Sequence, residues 1–167
     1  MSIAEVIDAT KAALQSAPEQ AQANFEAHHS LVGPCEVTVK VGSGHEFTVD
    51  EPQAFGGGDV AANPAEYALA ALGSCQAITY RVWAAQLGIK LDKVEISIDG
   101  DIDLRGFLGI DDRIRAGFNA VRIWVNLSGP EPPARYEELA ATVDAHCPIL
   151  DLFRNPVPVD RKLVSAA

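Results

Sequence analysis

Three cysteines are the residues of this sequence whose type and surroundings best support chemistry. Cys75 lies in the middle of a predicted helix, where it is either a small apolar filler or a reactive thiol. Cys147 precedes Pro148 at the start of another predicted helix, where free N–H groups favour a thiolate. Capping and packing alone would also account for Cys147. Cys35 falls on the apolar face of a predicted strand, where we expect packing only.

Other common kinds of site find no support in the sequence. It contains no C-x-x-C or H-x-x-x-H pair, and its four histidines are scattered. His28 and His29 adjoin the N-terminal segment, and we expect them to be solvated. The glycine run 56–58 lacks both the preceding strand and the Lys-Ser/Thr pair of a phosphate-binding loop. We therefore expect no metal and no cofactor.

Composition and charge restrict the class of protein. The chain has 167 residues, of which 48% are hydrophobic, and its formal net charge is −10. A globular protein this acidic repels phosphate backbones, so we expect no nucleic-acid partner. No apolar stretch reaches the roughly 20 residues of a membrane span, and no secretory signal precedes the first helix. We expect a cytoplasmic protein without a membrane partner.

The strongest local signal begins the helix that carries Cys75. Asn63, Pro64 and Glu66 supply an N-cap, a proline at the first helical position and a capping-box partner. The helix is predicted to run to Leu87 and to stop at Gly88. Its apolar residues spread around the whole circumference, which is typical of a helix buried on most sides. A chain this small rarely encloses such a helix alone, so a partner subunit is implied.

The remaining patterns predict an α+β fold with a largely antiparallel sheet. Residues 1–30 form an N-terminal helical appendage, with helix from Ser2 to about Gln15 and a second piece to about Glu26, and residues 31–167 form the main domain. Alternating apolar residues predict strands at 35–41, 47–49, 94–98, 121–127 and 157–163, and a helix spans 132–145. The link 104–113 mixes glycines with large apolar residues, a pattern often found in lids or binding loops.

Several motifs together resemble the OsmC/Ohr family. They are Gly56-Gly57-Gly58-Asp59, Asn63-Pro64-Ala65-Glu66, Ala70-Ala71-Leu72-Gly73-Ser74-Cys75, His146-Cys147-Pro148-Ile149-Leu150 and Asn155-Pro156-Val157. The lid-like link 104–113 is also similar to that of OsmC-like members. The resemblance covers roughly residues 33–165, and its two cysteine motifs occur in the family's order with two strands between them.

The resemblance implies a fold, an assembly and an activity. The fold would be of the OsmC type, with antiparallel sheet wrapped around long central helices in an intertwined homodimer. The activity would be thiol-dependent reduction of organic hydroperoxides or hydrogen peroxide, with organic ones preferred. Cys75 matches the peroxidatic position, where a sulfenic acid forms, and Cys147 matches the resolving position, where a disulfide closes. An external dithiol would restore both thiols.

The sequence departs from the family's activating charges. Hydroperoxide-specialised members use an arginine in the early strands, held by a glutamate at the start of the central helix. Here the segment 35–50 contains no arginine, and Ala65 stands where the glutamate would be. Arg105 and Arg113 are candidate replacements for the cation, and Glu66 and Glu51 for the carboxylate. Each also has a plainer explanation, because the arginines would be solvated charges and Glu66 a capping residue.

Two alternatives to a peroxidase remain open. One is a non-catalytic, dimeric OsmC-like protein that binds a small apolar molecule or buffers redox state through structural thiols. In either reading Leu104, Phe107 and Leu108 would line a pocket for an alkyl group, unless they serve only packing. The other is a peptidase or acyl-transfer enzyme using Cys75 with His146, for which no third orienting residue can be named.

Overall fold

The structure is a computed structural model that describes residues 1–164. Its helices are α1 (Ile3–Ser16), α2 (Pro64–Leu87), α3 (Leu104–Phe107), α4 (Pro133–His146) and α5 (Pro148–Arg154). Its strands are β1 (Ala27–Leu31), β2 (Val37–Val41), β3 (Glu46–Val49), β4 (Lys93–Ile102) and β5 (Phe118–Ser128). Short 3-10 turns cover Pro18–Ala21 and Gln53–Phe55.

The strands form two separate antiparallel sheets. One has the order β1-β2-β3, and the other pairs β4 with β5 along nearly their full length. Alternation along β4 is regular, with every second residue half-buried against α2 and the others exposed. The predicted α+β class with antiparallel sheet is confirmed.

Helix α2 begins and ends as its sequence predicts. Asn63 Oδ1 accepts from the backbone N–H of Glu66 at 2.9 Å, and Glu66 Oε2 accepts from the N–H of Asn63 at 2.8 Å. Gly88 ends the helix with a φ of 64°, a left-handed conformation that favours glycine. The capping box therefore fixes where α2 starts, and so which of its residues reach the core.

The core consists of two clusters along α2. The larger one joins Tyr80, Ala84, Ile89, Leu91, Leu139 and Val143. The smaller one joins Leu72 with Cys147 and Leu150, near the middle of the helix. Part of α2 is left uncovered by the chain, since Ile78 is 64% exposed. Burial on most sides, as predicted, is therefore not reached within one chain.

Two predictions for the N-terminal third are wrong, those for the second helical piece and for Cys35, whereas His28 and His29 are exposed as expected. The helical piece expected up to Glu26 is a single 3-10 turn followed by extended chain, because Pro18 interrupts the helical ladder. His28 and His29 belong to a strand, β1, whose side chains are all exposed, as solvation requires. Cys35 precedes β2 in the turn from β1, and its Sγ donates to the Phe55 carbonyl at 3.6 Å.

The predicted strand from Val157 to Leu163 is also wrong within this chain. Residues 156–164 adopt neither helix nor strand. A strand needs a neighbour whose N–H and C=O groups pair with its own, and no described strand pairs with this segment. The lid-like link 104–113 differs from the expected loop only at its start, where Leu104–Phe107 form the one-turn helix α3.

Candidate active site

The two predicted reactive cysteines meet at the smaller core cluster. The Sγ of Cys147 lies 3.4 Å from the Sγ of Cys75. Cys147 is fixed at the junction of two helices, since its N–H donates to Val143 at 2.9 Å and its carbonyl accepts from Asp151 at 3.0 Å. Both cysteines are free thiols. The arrangement places two sulfur atoms so close that oxidation could join them after a small movement.

Apolar side chains surround the thiol pair. Cys147 is 1% exposed, and Cys75 is half-buried. Leu72 and Leu150 pack against the pair, and Ile98 and Val121 reach it from the β4-β5 sheet. A thiol in such surroundings is shielded from water on most sides, which disfavours its charged form.

The pKa of Cys75 follows from this burial. Burial raises the pKa of the Cys75 thiol above its usual value, and the neighbouring Cys147 adds to the rise. The backbone N–H of Ile149, in the first turn of α5, and the Thr79 hydroxyl act in the opposite direction without reversing it. Within one chain, therefore, the site favours a protonated Cys75.

The candidate arginines are engaged elsewhere in this chain. Arg105 forms a two-pronged ion pair with Asp103, at 3.0 and 2.6 Å. Arg113 forms the same kind of pair with Asp111, at 2.9 and 2.8 Å. Both guanidinium groups are exposed, and each carboxylate lies two positions before its arginine. The chain alone thus neutralises these charges locally rather than offering them to Cys75.

The candidate carboxylates have structural contacts. Glu66 closes the capping box of α2, as its plainer explanation expected. Glu51 is half-buried, and its backbone carbonyl accepts from the N–H of Asp59 at 3.1 Å. Glu51 belongs to the segment that connects β3 to α2, and Glu66 belongs to the first turn of α2. Neither has a hydrogen bond to a cysteine or to a candidate arginine within residues 1–164.

Asp50 is a buried residue of this region that sequence reasoning missed. It is 1% exposed, and its Oδ2 accepts from the N–H groups of Gly58 and Val60 at 2.8 and 3.2 Å. Burial raises its pKa, but backbone N–H groups of residues 51 and 58–60 outweigh burial and hold the pKa below its usual value. The glycine motif is thus the part of a loop that closes around a carboxylate. Only its place after an alternating strand distinguished Asp50 in the sequence.

A cavity of about 1010 Å³ lies between α2, β5, α4 and α5. Leu72, Tyr80, Val121 and Phe153 are among its walls. Gln76 also lines it and is 1% exposed, and its Nε2 has no hydrogen-bond partner within the described residues. The sequence analysis did not single out Gln76, because a lone glutamine in an apolar helix gives no signal of its own.

The lid-like link does not reach this cavity in the single chain. Leu104, Phe107 and Leu108 are 46%, 65% and 56% exposed, and none of them is a wall of the cavity. The later part of the same connection does contribute, through Arg115 and Gly117. The pocket predicted from the link's apolar residues is therefore not formed within one chain.

The position of His146 does not support the peptidase or acyl-transfer alternative. His146 packs its ring against Trp83, with 4.4 Å between ring centroids, and its Nδ1 donates to the Thr142 carbonyl at 2.8 Å. This places the imidazole among α2 and α4 residues and gives no support to a Cys75–His146 pair.

Among residues 1–164, no group of three His, Cys, Asp or Glu side chains is arranged to hold a metal ion. None of the described helices has the length and hydropathy needed to cross a bilayer.

Comparison with solved structures finds the same fold in bacterial proteins. An OsmC-like protein from Mycoplasma pneumoniae superposes with a TM-score of 0.68 and 16% identity, over 80% of this chain and 89% of that one. The organic hydroperoxide resistance protein OsmC of Legionella pneumophila gives 0.61 and 19%, over 79% and 90%. An organic hydroperoxide resistance protein of Elizabethkingia anophelis gives 0.62 and 22%, over 80% and 89%.

The sequence itself also identifies the family. No curated protein matches the chain significantly. The family model described as OsmC-like protein matches residues 56–162. This range includes the whole of α2 and the two facing cysteines, Cys75 and Cys147. This match spans more than half of the chain, and the structural neighbours agree with it. The chain therefore belongs to the OsmC-like protein family.

Proposed function

We propose that this protein is a thiol-dependent peroxidase that reduces organic hydroperoxides, and hydrogen peroxide less well. The observation that carries the proposal is the 3.4 Å separation between the sulfur atoms of Cys75 and Cys147. A structural role would need neither thiol to face the other. The names of the Legionella pneumophila and Elizabethkingia anophelis proteins, which concern organic hydroperoxide resistance, support the same reaction.

The proposed reaction has three steps. The Cys75 thiolate attacks one peroxide oxygen, the O–O bond breaks, and the other oxygen leaves with the electron pair and takes up a proton as the alcohol. Cys75 is thereby oxidised to a sulfenic acid. The Cys147 thiol then attacks that sulfur, forming a disulfide and releasing water. An external dithiol reduces the disulfide to the two thiols and becomes a disulfide itself.

The geometry suits the second step. A disulfide has an S–S bond of about 2.05 Å, so the two sulfur atoms must approach by little more than one ångström. Cys75 lies on the long helix α2, and Cys147 lies where α4 gives way to α5.

The assembly in which this occurs is proposed to be a homodimer, as the family resemblance implies. The single chain leaves large apolar side chains exposed, including Ile78 on α2 and Phe107 and Ile110 in the lid-like link. Apolar side chains that are 64–67% exposed are typical of a surface that a partner buries. A second copy of the chain would bury them, and light scattering coupled to size-exclusion chromatography measures whether it does.

Activation of Cys75 is proposed to depend on that assembly. A protonated thiol is a poor nucleophile, so catalysis needs a positive charge that opposes the effect of burial. We propose that the exposed link of one protomer supplies it to the other, through Arg105 or Arg113. Glu51 or Glu66, at either end of the connection from β3 to α2, would orient the guanidinium.

Two observations favour a second candidate function. The raised pKa of Cys75 and the local pairing of both arginines with aspartates fit a non-catalytic protein that binds small apolar molecules or buffers redox state. The experiment that separates the two is peroxide consumption. Cumene hydroperoxide is mixed with the protein and dihydrolipoamide, and its loss is followed for wild type, Cys75→Ser and Cys35→Ser. Consumption that Cys75→Ser abolishes and Cys35→Ser retains supports the peroxidase; equal slow rates in all three support the binding protein.

A further inference from the structure

The buried side chain of Gln76 has an amide nitrogen that no described residue hydrogen-bonds. The residue is 1% exposed in the middle of α2, and its Nε2 lies buried without a hydrogen-bond partner in the part of the chain that the structure describes. A buried donor without an acceptor lowers stability, and native proteins retain such groups rarely. An apolar residue would fill the same place at less cost. The amide therefore requires another explanation.

The surroundings of Gln76 provide one. Its side chain lines the cavity of about 1010 Å³ between α2, β5, α4 and α5. Pockets for organic ligands are typically about 300 to 1,000 Å³, mostly apolar, with few polar groups that fix orientation. The walls of this cavity are more apolar than polar, since Leu72, Val121, Ile123 and Phe153 line it with Gln76. Its other polar walls include Arg115, Asn119, Asp144 and Arg154. A donor without a partner, set in an apolar wall, is suited to a ligand that brings an acceptor.

The cavity shares its walls with the thiol pair. Leu72 and Leu150 line the cavity, and the same two side chains pack with Cys147 in the core cluster that Cys75 joins. Gln76 follows Cys75 in sequence, so the two side chains leave α2 about 100° apart and at nearly the same height. Neither cysteine is itself a wall of the cavity, so a ligand that reaches the amide of Gln76 adjoins the thiol pair through Leu72 and Leu150.

We propose that Gln76 is the residue that binds the oxygen end of an organic hydroperoxide, with its Nε2 donating to that oxygen and the apolar body of the substrate packed on Leu72, Val121 and Phe153. The inference rests on the proposed peroxidase function and adds the residue that binds the oxygen of its substrate. Hydrogen peroxide offers the oxygen without the apolar body, so it gains little from these walls. The alcohol product retains both features and binds to the same place.

The first experiment measures binding without chemistry. In a Cys75→Ser background, 2-phenyl-2-propanol, the alcohol formed from cumene hydroperoxide, is titrated and followed by NMR. We expect saturable binding that Gln76→Leu weakens at least tenfold. The matched control is Gln86→Leu, the same substitution on the same helix, at a residue that contacts Asp8 and Lys11 of α1 instead. It should leave the affinity unchanged.

The second experiment measures reaction and stability in the protein with both cysteines. Gln76→Leu should slow oxidation of Cys75 by cumene hydroperoxide at least tenfold. It should slow oxidation by hydrogen peroxide less, because that reagent lacks the apolar body that would hold its oxygen against the amide, and it should leave alkylation by iodoacetamide unchanged. Thermal unfolding of Gln76→Leu should occur at the same or a higher temperature than that of wild type, since a buried donor without a partner has been removed. A residue needed only for packing would not give this combination.

The outcomes distinguish this inference from the proposed function. Binding of the alcohol that depends on Gln76, in a protein that does not consume peroxide, supports the assignment of Gln76 and rejects the peroxidase. Absence of alcohol binding, or binding that Gln76→Leu leaves unchanged, overturns the inference whatever the peroxidase assay gives. Gln76→Met retains the side-chain length without the amide; if it and Gln76→Leu both unfold, the amide serves the fold and the inference is wrong.

Discussion

The sulfur atom of Cys147 lies 3.4 Å from that of Cys75, although the two residues are 72 positions apart in the chain. Local hydrogen bonds fix the position of each cysteine in the fold. The capping box at Asn63 sets the register of α2 and so the face on which Cys75 lies. Cys147 is held by backbone hydrogen bonds at the end of α4 and the start of α5.

This separation predicts a defined product of oxidation. One equivalent of cumene hydroperoxide should remove two thiols from the reduced wild-type protein and leave Cys35 free. In Cys147→Ser the reaction should stop at the Cys75 sulfenic acid, because the attacking sulfur is missing. Mass spectrometry with dimedone, which labels sulfenic acids, measures both. Labelling of Cys147→Ser at Cys35 rather than at Cys75 would contradict the proposed roles.

The raised pKa of Cys75 predicts how its reactivity depends on pH. Iodoacetamide alkylates the thiolate, so the rate should rise about tenfold per pH unit while the pH is below the pKa. If Arg105 or Arg113 activates Cys75 in the dimer, the wild-type pKa should lie below the unperturbed value of about 8.5. In the double variant Arg105→Ala/Arg113→Ala the effect of burial is unopposed, and the pKa should rise above about 8.5.

Arg122→Ala is the control for that experiment. Its guanidinium is paired with Asp99 and Asp101 on the β4-β5 sheet, away from the lid-like link. It should leave the pH profile of alkylation as in wild type. Identical profiles for wild type and the double variant would remove both arginines from the activation step and would favour the binding protein.

Much of the architecture could be predicted from the sequence. The capping residues around Asn63 and Gly88 bound α2 correctly, because caps are local and depend on few residues. Period-two patterns located β2 to β5 within a few residues. The pattern could not supply β1, whose residues 27–31 are all exposed and therefore show no alternation. A strand of this kind is defined by its neighbour rather than by its own sequence.

The site was predictable only in part. The juxtaposition of Cys75 with Cys147 followed from the family motifs and not from spacing. Asp50 and Gln76 escaped notice, because the importance of each depends on contacts made by distant segments. The glycine loop folds over Asp50, and α4, α5 and β5 close the cavity around Gln76. Burial of a single polar side chain leaves no trace in a sequence pattern.

The hydrogen bonds of Asp50 predict that the glycine loop around it becomes less stable in acid. Its folded pKa lies below the unfolded value, so the carboxylate contributes stability above that unfolded value of about 3.9. That contribution is lost as the pH falls through the folded pKa. Asp50→Asn should therefore lower the unfolding temperature at pH 7, because a neutral amide oxygen accepts the N–H groups of Gly58 and Val60 more weakly than a carboxylate does. The difference from wild type should shrink at low pH. Thermal unfolding followed by circular dichroism from pH 7 downward measures it, and a difference independent of pH would contradict it.

Gly57 makes the sharpest prediction about how the same loop is built. A Cβ placed on Gly57 would lie 1.8 Å from the carbonyl oxygen of Glu51, far inside contact distance, so Gly57→Ala must displace backbone. We expect destabilisation of about 1 to 3 kcal/mol, typical of overpacking, measured by urea unfolding. Gly42→Ala is the matched control, because its Cβ would meet nothing nearer than 3.7 Å. Equal stability of the two variants would mean that the loop does not close on Glu51 as described, and the support that it gives to Asp50 and to the start of α2 would have to be sought elsewhere.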